Sequence, residues 1–185
     1  IHRLLGWTWD RGRFKHDEKN RLPHDLVIVD EMSMVSLPMA AKLLAAVRFA
    51  AKLDFRIADE VVAAIRDNVE LITNVPSARL FDEFLKLFQA GHAEKTFELL
   101  REHGLFGQMF PPTEAEILED ESFLRFIMAA LRNTDRRVAA GKSVTPMFLI
   151  GVFMWAPTRR LAAEMQAEEN MSESQALSMA SYELV

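Results

Sequence analysis

Two adjacent carboxylates end an apolar run in "HDLVIVDEMSMVS", residues 24–36, and Asp30 and Glu31 are the residues best suited to chemistry in this chain. At the C-terminal end of a buried strand, such a pair can hold Mg²⁺ and orient an attacking water during nucleoside triphosphate hydrolysis. That reaction also requires a glycine-rich loop whose backbone N–H groups close on the phosphates, followed by a lysine. The only Gly-Lys pair is Gly141-Lys142, followed by Ser143. Five residues before Gly141, where the pattern needs another glycine, stands Arg136, and the approach "LRNTDRRVAA" has helical character. Gly141 therefore reads as the residue that ends a helix. The acids are present without the loop.

Composition narrows the rest. Half of the 185 residues are hydrophobic, enough to build a core, and the absence of cysteine excludes a disulfide framework, a thiolate metal site and a thiol nucleophile. The longest apolar run, Met147–Ala156, is about half of the ~20 residues a membrane span needs, so it reads as a core helix. His2, His16 and His24 have no partner at helical spacing, and His92 and His103 flank one helix, so no metal site is expected. The acidic run Glu119–Glu121 reads as a helix start, where negative charge is favourable. The chain opens at Ile1 within what reads as a motif and shows no signal peptide, so a fragment of a cytoplasmic protein is expected. Net charge is −5: residues 1–46 hold seven basic and six acidic residues, and residues 47–185 hold 15 and 21. An acidic second part is not the footprint of a strong nucleic-acid binder.

Two textures meet near residue 40. Residues 1–37 are turn-rich and polar around one predicted strand, Leu26–Asp30, which is expected to pack poorly without sheet neighbours. From Pro38 onward the periodicity is helical. Met39, Leu43, Ala46, Val47, Ala50 and Leu53 share one face, with Arg48 and Lys52 a turn apart on another. Further helices are predicted over 59–72, over 76–91 with Pro76 in the first turn and Gly91 at the end, and over 92–104. Others are predicted over 121–139, 146–155 (Thr145 as N-cap) and 158–169, and a capping box at Ser172 and Gln175 should open a last one. "LFGQMFPP" reads as a hydrophobic turn. The fold class is mainly α: a helical body over 42–185, preceded by a small incomplete α/β fragment over 1–41.

Two resemblances follow these textures. "IHRLLG" and "LPHDLVIVDEMSMVSLPM" resemble the ATPase core of RecD-type DNA helicases, the exonuclease V alpha subunit family, over about residues 1–41. The resemblance implies that Asp30 and Glu31 are that family's Mg²⁺ and water-activating acids, although Met32 stands where the family carries alanine. "AVRFAAKLDFRIADE", "VPSARLFDEFLKLFQAGHAEKTFELLREHGLFGQMFP" and "NTDRRVAAGKSVTPMFLIGVFMW" are similar to the neck and body of bacterial poly(A) polymerase, a relative of the CCA-adding enzymes, from about Leu43 to Val185. In that family a β-rich head carries the metal-binding aspartates that transfer AMP from ATP to an RNA 3′ end, and the helical part supports the head and guides RNA. Pro38, Met39, Ala40, Ala41 and Lys42 occupy the positions of the family's Glu-Asp-x-x-Arg motif, which contacts the incoming nucleotide. The sequence thus looks like a chimera joined near residues 40–46.

The resemblance implies a non-catalytic, RNA-guiding body separated from its head domain, inactive alone and holding no cofactor, from parent families that use ATP and Mg²⁺. The alternatives are a remnant of a RecD-type motor and a helical interaction module. Arg48, Lys52, Arg79 and Lys86 are carried over as nucleotide or RNA neighbours. Arg48 and Lys52, helped by Lys42, form the best basic strip, and weak, salt-sensitive binding of single-stranded RNA is expected. The spacings Arg79–Glu83 and Asp82–Lys86 also suit ordinary surface ion pairs. Because phosphoryl transfer needs a metal and a positioned cradle together, ATP turnover by this chain should stay at buffer level and be unchanged by Asp30→Asn. Turnover that disappears in the Asp30→Asn variant would refute this.

Overall fold

The computed structural model describes residues 7–8, 13–14, 39–169 and 171–184. Leu26–Asp30 and Glu31 lie outside the described residues. Two short strands, β1 (Trp7–Thr8) and β2 (Arg13–Phe14), pair antiparallel with Trp7 opposite Phe14. The periodicity did not predict this pair, because two residues are too few to show alternation.

The rest of the described residues form helices and their connections: α1 (Met39–Leu53), α2 (Asp59–Asn68), a 3₁₀ segment (Val69–Asn74), α3 (Ser77–Phe88), α4 (Ala93–Glu102), α5 (Leu105–Met109), α6 (Pro111–Glu119), α7 (Glu121–Ala139), α8 (Pro146–Glu169) and α9 (Glu173–Leu184). The fold is mainly α. Among the described residues no helix is long and apolar enough to cross a membrane.

Three departures from the periodicity have physical causes. The helix predicted over 59–72 gives way to 3₁₀ geometry after Asn68, whose side-chain amide donates to the Ala64 carbonyl at 2.9 Å. Asparagine competes in this way with the regular helical ladder. The segment expected to be a turn, "LFGQMFPP", instead contains α5 and the start of α6. Pro111 and Pro112 open α6, at positions where a helix has no use for the amide hydrogen, so prolines that look like breakers are starters here.

The third departure is α8, which runs unbroken through Pro157 instead of stopping at Trp155. Proline lacks the amide that would donate to the carbonyl four residues earlier, that of Phe153. The buried Thr113 hydroxyl, from α6, donates to that carbonyl at 3.0 Å and replaces the lost bond.

Phe153 is also the hub of the core. Its ring lies 5.1 Å from Phe88, 5.2 Å from Phe110, 5.4 Å from Phe106 and 6.1 Å from both Phe84 and Phe97. Ring pairs at such separations contribute roughly 0.5–1.5 kcal/mol each beyond their area. On α1 the buried set is wider than one stripe: Ala40, Ala41, Leu43, Leu44, Val47, Ala50 and Ala51 are all buried, because α3, α4 and the 3₁₀ segment pack around it.

Two further local signals agree with the structure, whereas Glu119, read as part of a helix start, is the last residue of α6, so that only Asp120 and Glu121 open a helix. Asp120 caps α7, accepting from the Ser122 N–H at 2.7 Å, and its hydrogen bonds to Ser122 hold its carboxyl below the ordinary value. Ser172 and Gln175 form the expected capping box at the start of α9. That helix lies along the second half of α8 through Ala162, Ala176 and Ala180, whose small side chains permit close approach.

Replacing Thr113 by valine keeps its shape but leaves the Phe153 carbonyl buried without a donor. Urea unfolding should show a loss of about 1–3 kcal/mol, and Thr113→Ser should retain most of the stability. Equal stability of Thr113→Val and wild type would show that the proline site needs no outside donor.

Candidate nucleic-acid interface

Helices α1 and α3 pack side by side and leave a cleft of about 400 Å³ between them. Ala41, Ala45 and Arg48 line it from α1, and Arg79, Asp82, Glu83 and Lys86 from α3. The cleft exists because two alanines, one turn apart, leave space where longer side chains would fill it. On α3 the residues at positions 79, 82, 83 and 86 share one face, while Phe84, Leu87 and Phe88 are buried on the other.

Three of the four carried-over cations, Arg48, Arg79 and Lys86, therefore meet in one place. Lys52 does not line the cleft and has an interaction of its own; Lys42, half-buried, does not line it either. The ion pairs also differ from those suggested by spacing. Lys86 Nζ lies 2.8 Å from Glu83 Oε1, three residues earlier, whereas Arg79–Glu83 and Asp82–Lys86 pairs are absent among the described residues. Glu83 is only 7% exposed while Asp82 is exposed, so the buried carboxylate has the greater need of a counter-charge. Arg79 is left with no ion pair among the described residues. The Arg48 guanidinium lies over the Phe49 ring at 5.1 Å. With Glu83 and Lys86 neutralising each other, two arginines face one exposed aspartate.

A second cleft, about 600 Å³, is lined by Asp54, His92, Glu94, Lys95, Glu98 and Asp135 among others. Most of its charge serves the fold. Asp135 on α7 accepts from the N–H groups of Ala93 and Glu94 at 2.6 and 3.0 Å, capping α4 from 42 residues away. Arg132 bonds Glu94 at 2.8 Å, and Lys95 pairs with Asp54. Among the described residues no three His, Asp or Glu side chains are placed to hold a metal ion, so these residues do not fit a Mg²⁺ clamp.

The Gly-Lys-Ser stretch is a helix end. Gly141 has φ +71°, its N–H donates to the Val138 carbonyl at 2.9 Å, and the Lys142 N–H donates to the Arg137 carbonyl at 2.9 Å. This pair of bonds is the glycine-terminated helix cap. The amides that a phosphate loop would offer to a nucleotide are occupied by carbonyls of α7.

Comparison with known families agrees with both sequence textures. Residues 54–117 match a family model described as "Probable RNA and SrmB- binding site of polymerase A", and residues 1–65 match one described as "AAA domain". Most of the chain is similar to part of bacterial poly(A) polymerase I. It is 41% identical to poly(A) polymerase I of Haemophilus influenzae over 146 residues, 78% of this chain and 32% of that protein. It is 38% identical to poly(A) polymerase I of Salmonella typhi over 141 residues, 75% of this chain and 30% of that protein. The chain thus spans about a third of the length of these relatives. A shorter stretch of 49 residues, 26% of this chain, is 61% identical to 9% of the RecBCD enzyme subunit RecD of Mycolicibacterium smegmatis.

If Gly141 is a cap, a side chain there strains the backbone. Gly141→Ala should lower stability by about 1–2 kcal/mol, although its Cβ would meet nothing within 4 Å. Lys142→Ala should leave stability nearly unchanged. Chemical denaturation distinguishes the two, and an unaffected Gly141→Ala protein would argue against the cap.

Proposed function

We propose that the helical body holds single-stranded RNA by its phosphates in the Arg48–Arg79–Lys86 cleft. On this reading it is the RNA-guiding part of an enzyme of the poly(A) polymerase type and does not transfer adenylate by itself. The observation that carries the reading is the meeting of Arg48 and Arg79, from two helices, against one exposed carboxylate, Asp82, with Lys86 matched to Glu83 and Arg79 left without an ion pair among the described residues. Phosphate oxygens are the ligands such a group suits, because guanidinium donors match them in pairs and each contact releases condensed counterions. The match of residues 54–117, which include Arg79 and Lys86, to a family model named for RNA binding supports it. The parent enzyme's ATP and Mg²⁺ chemistry would belong to a head domain, and RNA as the partner implies a cytoplasmic setting.

The test is titration of fluorescein-labelled oligoadenylate, followed by anisotropy at low and moderate salt. Arg48→Glu/Arg79→Glu should weaken binding about tenfold or more at low salt and reduce the log–log salt slope by about 1.4, two phosphate contacts at ~0.7 each. Helix content should not change, since neither side chain is part of the apolar core. Arg66→Glu, on the exposed surface of α2, serves as the charge control. Equal binding by wild type and the double variant would sink the cleft, and no binding by wild type at low salt would favour an inert helical module.

A further inference from the structure

Charge is strongly segregated along the acidic body. Between Ser122 and Ala163 there are seven basic residues and one acidic residue, Asp135, whose carboxylate is committed to capping α4. Four of the seven, Arg132, Arg136, Arg137 and Lys142, fall in the second half of α7 and the turn after it. Arg136, Arg137 and Lys142 are exposed and carry no ion pair among the described residues.

The same corner contains a small pocket of about 240 Å³, lined by Asn133, Arg137, Ser143, Val144, Thr145 and Phe148. Phe148, on the first turn of α8, is 41% exposed and lies outside the aromatic core, and the adjacent Met147 is 71% exposed. One guanidinium nitrogen of Arg137 donates to the Ser143 carbonyl at 3.3 Å, which anchors the side chain and leaves its other donors available. The corner is also tied to α3: Gln89 donates to the Val144 carbonyl at 2.6 Å, and Gln89 follows Lys86 by three residues.

We infer that the α7–α8 corner is a second RNA-binding subsite, which stacks one base on Phe148 and holds the adjoining phosphate with Arg137 and Lys142. An exposed aromatic face beside unpaired cations is the combination single strands use: stacking accepts any base, and the positive groove follows the backbone. Asn133 supplies an amide able both to donate to and to accept from a base edge. Gln89, the residue just past the end of α3, ties the corner to the helix that carries Arg79 and Lys86. The inference rests on the reading that this chain holds RNA, but not on the first cleft being its site.

The experiment uses the full chain with three labelled probes of equal length: oligoadenylate, an abasic ribose-phosphate strand and oligodeoxyadenylate. Phe148→Ala should weaken oligoadenylate binding about five- to 150-fold, the range for loss of one stacked base. It should leave the abasic probe unaffected, and Phe148→Trp should bind as wild type does. Lys142→Gln, which keeps the Arg137–Ser143 bond, should flatten the salt slope by about 0.7 for both ribose probes. Unchanged binding by Phe148→Ala, or an equal loss on the abasic probe, overturns the stacking site. Preference for oligodeoxyadenylate over oligoadenylate overturns RNA as its occupant. Loss of binding in Arg48→Glu/Arg79→Glu alone, with Phe148→Ala at wild-type affinity, rejects the corner and keeps the cleft. The reverse pattern keeps the corner and rejects the cleft, and absence of binding by wild type rejects both.

Discussion

One hydrogen bond, from the Thr113 hydroxyl to the Phe153 carbonyl, allows α8 to cross its own proline. Without a donor, that carbonyl would lie buried and unpaired, a cost comparable to a large share of a small domain's net stability. With it, Phe153 is held at the centre of five other phenylalanine rings contributed by α3, α4, α5 and the junction before α6. Two of those rings, Phe84 and Phe88, belong to α3 and fix which side of that helix faces the core. The opposite side then carries Arg79, Glu83 and Lys86 toward α1. The candidate cleft is in this sense a consequence of how the core is packed.

Electrostatics divide the charged residues into those that serve the fold and those left over. Several acidic groups around α4 are consumed internally: Asp135 caps it, Glu94 bonds Arg132, and Glu114 takes a two-pronged bond from Arg101 at 2.8–3.2 Å. Glu83 is buried and matched to Lys86. What remains without a partner among the described residues includes Arg79 in the cleft and Arg136 and Lys142 at the α7–α8 corner. A net-negative body can therefore present local positive surfaces, because many of its carboxylates already accept hydrogen bonds from its own backbone or side chains.

The two resemblances meet within or close to α1. The family-model matches overlap over residues 54–65, just beyond that helix. Ala40 and Ala41, from the part that departs from the polymerase pattern, are as buried as Leu44 and Val47 from the part that follows it. Small apolar residues fit an existing helix seam with little demand on their neighbours, which gives a physical reason why the join can be accommodated by the body's core. The same alanines, with Ala45, leave the open space from which the cleft is made.

The sequence by itself determined the class of fold and most of the helices, because apolar periodicity, capping residues and terminal glycines act within a few residues of one another. The range of α7, the Ser172–Gln175 cap and the role of Gly141 are all signals of this local kind. It also offered Arg48, Lys52, Arg79 and Lys86 as candidates, and the resemblance of the helical part to poly(A) polymerase. Only the tertiary structure decided that α8 passes through Pro157, since the compensating donor sits 40 residues away in Thr113. The same holds for Asp135, whose role appears only when α7 is laid across the start of α4, and for Glu83, which pairs with Lys86 instead of Arg79 because burial raises the cost of leaving it uncompensated. Lys52 drops out of the cleft and Phe148 comes to stand beside Arg137 for one reason: exposure and neighbourhood are properties of packing, and helical spacing alone carries no information about which other helix will lie alongside.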